Sequence, residues 1–264
     1  MSLDASERDA MPFSARNVLV TGGARGIGLG IVRAFLEGGA SVVFIDHDEA
    51  LGLDAESRLR TQHANAHFVA ADVGRFVSCQ AAFERAEALI GPIDTLINNA
   101  GISPKTDGRG LPVDEIPLDE WQRVVDVNLN GVFHFCKLAV PGMKRRGFGR
   151  IVSMSSVAGK AYLDVCALHY AATKAAVIGV TRQLAGELGP FGTNVNAIAP
   201  GRIDTEMVAV AGEAANAAYV AQTPLKRLGT TREVAALCLY LASRHEAGFV
   251  TGQVVDVAGG WLMT

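Results

Sequence analysis

The sequence predicts an α/β fold, a doubly wound, parallel seven-stranded sheet of the Rossmann-like type with helices on both faces. Three observations carry this reading. Short apolar segments alternate with stretches of helical periodicity along most of the chain. The strand segments, Val18-Leu19-Val20, Val42-Val43-Phe44-Ile45 and Thr95-Leu96-Ile97 among them, are apolar runs without polar alternation, as in strands covered on both faces. A glycine-rich turn, Gly22-Gly23-Ala24-Arg25-Gly26-Ile27-Gly28, stands where the first strand passes into the first helix.

The elements follow in order. Residues 1–15 read as a flexible N-terminal arm, and 16–264 as one dinucleotide-binding catalytic domain, since 264 residues build one sizeable core and fall short of two. After the Val18–Val20 strand, Ile27, Ile31, Ala34 and Phe35 give a helix to Leu36 its inner face, and Gly38-Gly39 stops it. Ser41–Ile45 is the second strand, followed by a helix from Glu49 into the 60s. Strands at 66–70 and 93–97 flank a helix over 76–89. A single long helix, capped near Asp119, carries Trp121, Val124, Val125, Val127 and Leu129 and reaches about Met143. Strand 150–154, helix 170–188, strand 194–198, helix 232–242 and strand 253–257 complete the alternation. Residues 206–223, rich in alanine, interrupt it and read as a helical flap over the substrate.

Composition excludes several classes. With 24 Lys and Arg against 27 Asp and Glu, the net charge of -3 provides no basic surface for nucleic acid. No continuous apolar run is long enough for a membrane span, and the acidic start MSLDASERDA lacks the features of a secretion signal. Cys79, Cys136, Cys166 and Cys238 are too scattered for a metal or redox pair and suit a reducing compartment, so a cytoplasmic location is expected. The six histidines show no zinc-binding spacing, and no metal is expected.

Small residues in the glycine turn let the backbone approach a pyrophosphate, whose charge the helix N-terminus favours. The same turn could serve only as a tight connection. Asp46, ending the second strand, is placed to accept the adenosine ribose hydroxyls, which points to NAD; against a 2′-phosphate its charge costs on the order of several kcal/mol. Arg25 in the turn could swing towards a phosphate.

On these residues the chain resembles the short-chain dehydrogenase/reductase family, in its single-domain branch of about 250 residues. Thr21-Gly22 with Gly26 and Gly28 matches the family's cofactor loop, with Arg25 and Ile27 inside it. Asp72-Val73 matches the pair around the adenine, and Asn98-Asn99-Ala100-Gly101 the stretch that ends the fourth strand. Asn128, Ser156, Tyr170 and Lys174 fall on the catalytic set, the last two as YxxxK. Pro200-Gly201, Ile203 and Thr205 match the segment beside the nicotinamide. The resemblance covers about residues 16 to 260 and implies a homotetramer assembled through the 119–143 and 170–188 helices. It also implies that Asn128 frees a helix carbonyl for a water leading from Lys174 to solvent. Two features depart from the family: Val257-Ala258-Gly259-Gly260 lacks its usual aspartate, and the Gly159–His169 loop is long.

The chemistry needs these groups in any case. Oxidising a secondary alcohol requires a base for the hydroxyl proton. Lys174, one helical turn from Tyr170, can supply part of the field that lowers the tyrosine's pKa, the oxidised nicotinamide can supply more, and Ser156 can hold the substrate oxygen. The pocket is expected between Ser103-Pro104, Lys160, Tyr162, His169, Arg202 and the flap. Arg202 either recognises a carboxylate or hydroxyls, or faces solvent paired with Asp204 or Glu206. Small sugars, polyols and sugar acids are the leading substrates, a 3-oxoacyl thioester reductase the nearest alternative. A catalytically silent dinucleotide-binding scaffold is the alternative of another class.

Overall fold

The apolar runs become strands whose side chains are packed on both faces in the computed structural model of the chain, which describes residues 12–210 and 212–264. In chain order, β1 (Asn17–Thr21), α1 (Gly26–Glu37), β2 (Ser41–Asp46), α2 (Glu49–Arg60), β3 (Ala66–Ala70), α3 (Phe76–Ile90) and β4 (Thr95–Asn98) form the first half. The second half comprises α4 (Leu118–Val125), α5 (Gly131–Arg146), β5 (Gly149–Met154), α6 (Leu168–Leu188), β6 (Thr193–Pro200), α7 (Glu206–Ala209), α8 (Glu213–Gln222), α9 (Thr231–Ala242) and β7 (Val254–Val257). All seven strands are parallel, in the order β3-β2-β1-β4-β5-β6-β7. The order reverses between β1 and β4, which opens a crevice at the strands' C-terminal ends.

Successive strand residues point to opposite faces and build two cores. Val18, Val20, Val42, Phe44 and Ile97 meet Ile31, Val32 and Phe35 of α1 and Val234, Cys238 and Leu241 of α9. Leu19, Val43, Ile45, Leu96 and Ile151 meet Phe83 of α3, Phe135 and Met143 of α5, and Val177 and Leu188 of α6. Among the described residues, no helix is long and apolar enough to cross a membrane.

Three expectations change. Residues 1–11 of the expected arm lie outside the described residues; within the rest of it Phe13 is buried, its ring edge-on to Phe35 at 5.0 Å. The long helix from Asp119 is two helices joined by a wider turn of π type, Asp126–Asn130, containing Asn128. The flap is two short helices, α7 and α8, the second entered through Gly212 at φ +82°.

Candidate active site

The crevice is a cleft of about 690 Å³. Gly22, Arg25, Gly26, Ile27 and Gly28 form one wall, Asp46, Asp72 and Val73 one end, Asn99, Ala100 and Gly101 the floor, and Pro200, Gly201, Ile203 and Thr205 the other end. Local packing explains the turn's glycines: Gly22 has φ +64°, and a Cβ on Gly28 would come within 1.9 Å of the Gly22 carbonyl oxygen. Asn99 Nδ2 donates to the Thr21 and Gly22 carbonyls at 3.0 and 2.8 Å, fixing the turn against β4.

This cleft fits a dinucleotide. No side chain caps the N-terminus of α1, and its first turn carries no acidic residue, leaving an anion-favouring helix end at the glycine turn. The Asp46 carboxylate is buried and aimed at that turn by N–H donors from Ala24 at 3.3 Å and His47 at 2.9 Å. Arg25 is drawn away from it, its Nη1 3.5 Å from Glu206 Oε2 on the flap. Burial acts to raise the Asp72 pKa, but Arg123 at 2.9 Å and the Gly74 amide at 2.9 Å outweigh it and hold the carboxyl below its ordinary value.

Tyr170 and Lys174 project from the start of α6 into the same cleft, with Ser156 from the turn after β5. Ser155 is separate in role: its buried hydroxyl donates to the Lys174 carbonyl at 2.8 Å, whereas Ser156 lines the cleft beside Tyr170. Burial pushes the Tyr170 phenol up to about 12; the Cys166 thiol adds to the rise and the neighbouring Ser156 hydroxyl opposes it. Burial pulls the Lys174 ammonium down to about 8, and its Nζ donates to the Met154 carbonyl at 2.8 Å, 5.7 Å from the Tyr170 ring centre. Lys174 was expected to supply part of the field that lowers the tyrosine's pKa; in this structure desolvation is the largest influence on the phenol.

Asn128 is fully buried and lies behind the cleft floor. Its Oδ1 accepts from Ile102 N at 2.8 Å, and its Nδ2 donates to the Ile102 carbonyl at 2.9 Å and Thr173 Oγ1 at 3.3 Å. A Cβ on Gly101 would lie 3.3 Å from Lys174 Nζ and 3.4 Å from Asn128 Oδ1, so the ammonium and the amide flank one glycine. Asn128 is a positioning residue in this geometry.

Next to the cleft, Ser156 and Tyr170 also line a cavity of about 90 Å³ with Ser103, Lys105, Val157, Leu163, Val165, Cys166, Gly201, Arg202, Met207, Val208 and Tyr219. Arg202 thus faces the pocket, and its Nε donates to Asn216 Oδ1 at 2.6 Å instead of pairing with Asp204 or Glu206. His169 does not face the pocket. It is fully buried on another side of α6, with Nε2 2.9 Å from Glu120 Oε1, because neighbouring helix residues diverge by about 100°. Lys160 is likewise drawn off to Asp256 at 2.7 Å, and Tyr162 is 87% exposed. Lys105 was missed, although it directly follows the Ser103-Pro104 pair expected at the pocket. Among the described residues, no group of three or more His, Cys, Asp or Glu could hold a metal ion.

The family model described as Enoyl-(Acyl carrier protein) reductase matches residues 22–262. The chain is similar to a 3-oxoacyl-[acyl-carrier protein] reductase with bound NAD from Brucella melitensis, 44% identical with a TM-score of 0.90 over 100% of this chain and 98% of that one. An acetoacetyl-CoA reductase of Rhizobium meliloti (strain 1021) is 38% identical over 93% of this chain and 98% of its own length. A 2-dehydro-3-deoxy-L-rhamnonate dehydrogenase (NAD(+)) of Sphingomonas sp. (strain SKA58) is 36% identical over 94% of this chain and 96% of its own length. The chain belongs to the short-chain dehydrogenase/reductase family and is a dinucleotide-dependent oxidoreductase of CH–OH and C=O groups.

Proposed function

We propose that this chain is an NAD-dependent oxidoreductase that interconverts 3-hydroxyacyl and 3-oxoacyl compounds, with Tyr170 as acid and base. The observation that carries the substrate class is the pocket wall. Val157, Leu163, Val165, Met207 and Val208 surround the approach to Tyr170, and among the described residues no carboxylate or carboxamide lines the cavity. An apolar wall suits a short acyl chain, whereas a polyol would bury hydroxyls that need acceptors there. The sugars and polyols that led the expectations from sequence therefore give way to the acyl alternative, the class to which the Brucella and Rhizobium relatives belong by name. A sugar acid is the second reading, favoured by Arg202 in the wall.

Asp46 supports NAD over NADP, since a buried carboxylate held by backbone donors leaves no room for a second anion. When bound, NAD supplies the hydride acceptor and a positively charged ring. Ser156 orients the substrate oxygen, and Tyr170 takes the hydroxyl proton in oxidation and returns it in reduction. Lys174, whose pKa is near 8, can pass a proton onwards at neutral pH. A homotetramer in the cytoplasm belongs to the same reading. Leu118, Trp121 and Phe133 support the assembly by exposing apolar surface on α4 and α5, while Phe135 is buried in the chain's own core.

Following NADH formation with both enantiomers of 3-hydroxybutanoate and of 3-hydroxybutanoyl-CoA, beside gluconate and sorbitol, tests the proposal. Turnover of either 3-hydroxyacyl form at least tenfold above the other two compounds is expected. Faster oxidation of sorbitol or gluconate would overturn the substrate class.

A further inference from the structure

The pocket holds two cations that the reaction itself does not use. Lys105 and Arg202 line the same cavity of about 90 Å³ as the reacting pair Ser156 and Tyr170. They arrive from distant parts of the chain, Lys105 from the loop after β4 and Arg202 from the turn after β6. Each is held by one bond: Lys105 Nζ donates to the Val165 carbonyl at 2.6 Å, and Arg202 Nε donates to Asn216 Oδ1 at 2.6 Å with its guanidinium 5.6 Å above the Tyr219 ring. Among the described residues, no acceptor is bonded to the two Nη atoms of Arg202. Burial lowers the pKa of both groups, and the charge of Arg202 lowers that of Lys105 further. The carboxylate whose field reaches both is Asp164, which is exposed and outside the cavity lining.

Two part-buried cations without an anion in their shared wall make a receptor for one. We infer that Lys105 and Arg202 bind the free carboxylate of the substrate, so that this enzyme acts on a small 3-hydroxy or 3-oxo acid in preference to the corresponding thioester. The inference rests on the function proposed above and narrows it. A carboxylate offers two oxygens to the planar Arg202 fork and the Lys105 point charge, while a thioester presents a neutral carbonyl and leaves both cations without a counter-charge. The size agrees, because a cavity of about 90 Å³ accommodates a short acid. The reaction is a 3-hydroxy acid plus NAD⁺ giving the 3-oxo acid, NADH and one proton; the C–H bond yields the hydride and the O–H bond yields the proton, and no other reactant is required.

The probes are 3-hydroxybutanoate, its methyl ester and 3-hydroxybutanoyl-CoA, each as both enantiomers, with the intact wild-type enzyme and with Lys105→Met, Arg202→Met and Lys105→Arg. In the wild type, kcat/KM for the acid is expected to exceed that for the ester and the thioester at least tenfold. Each Met variant should reduce the acid-to-ester ratio of kcat/KM by tenfold or more, chiefly through KM, and Lys105→Arg should restore most of it. Dissociation constants for NAD measured on the same proteins show whether a variant is folded. A thioester used better than the acid, or an acid-to-ester ratio that stays the same in folded Met variants, overturns the carboxylate site and leaves the 3-hydroxyacyl reading standing. Turnover of none of the three, with activity on gluconate or sorbitol, overturns both.

Discussion

Replacing Lys174 with methionine should flatten one limb of the stability curve against pH. Burial lowers the ammonium from 10.5 in the open chain to about 8 in the folded one. Between these values the unfolded chain carries the proton and the folded chain does not, so stability rises as pH rises from about 8 to about 10.5. The burial penalty is fully present below pH 8, and its removal is worth about 3 kcal/mol, at about 1.4 kcal/mol per pKa unit. About 2 kcal/mol of that should develop between roughly pH 7 and 9.5. Tyr170 is common to both proteins and cancels from their difference, and the range ends below the ordinary phenol value of 10 from which its own linkage begins. Urea unfolding of the ligand-free wild type and of Lys174→Met at matched ionic strength gives the difference curve directly. A difference that stays constant within about 0.5 kcal/mol over this range would refute the claim that burial sets the lysine's proton affinity, and with it the proton passage assigned to Lys174.

Two further outcomes are expected. Asp46→Ala should weaken NAD by about 1.5–3 kcal/mol, the worth of hydrogen bonds to a charged group, while NADP binds no worse or more tightly; calorimetric titration of both cofactors into both proteins decides, and wild-type affinities within threefold of each other would contradict the role of Asp46. Asn128→Ala should leave the Ile102 N–H and carbonyl unpaired, at a cost of about 2–4 kcal/mol in unfolding free energy; a loss below about 0.5 kcal/mol would show that water or a shifted backbone replaces the amide.

Much of the fold was legible because its signals are local. Unbroken apolar runs such as Val42–Ile45 belong to strands packed on both faces, and a glycine turn at the end of β1 marks the crevice. Asp46 could be found for the same reason, standing at the end of a strand that the alternation establishes, whereas Ser156, Tyr170 and Lys174 were marked by the family resemblance. The break in the long helix left no mark in the apolar spacing, since one wider turn at Asp126–Asn130 keeps it intact on either side; only the resemblance, by which Asn128 frees a helix carbonyl, pointed to it. His169 was misplaced by giving weight to its adjacency to Tyr170, when one step along a helix turns a side chain to a different face. Lys105 and Arg202 meet only through the tertiary fold, and nothing in the spacing of residues 97 positions apart announces it. The depth of burial, which raises the proton affinity of Tyr170, is invisible in a motif.

The assignment of Tyr170 as acid and base is tested most directly by stopped-flow NADH formation with saturating NAD and 3-hydroxybutanoate, comparing wild type with Tyr170→Phe. The phenylalanine keeps the ring in place and removes only the hydroxyl. A fall of about 10²–10⁴-fold in the rate of the chemical step, with the NAD dissociation constant changed less than threefold, is the expected result. A Tyr170→Phe enzyme that forms NADH within tenfold of the wild-type rate would contradict it.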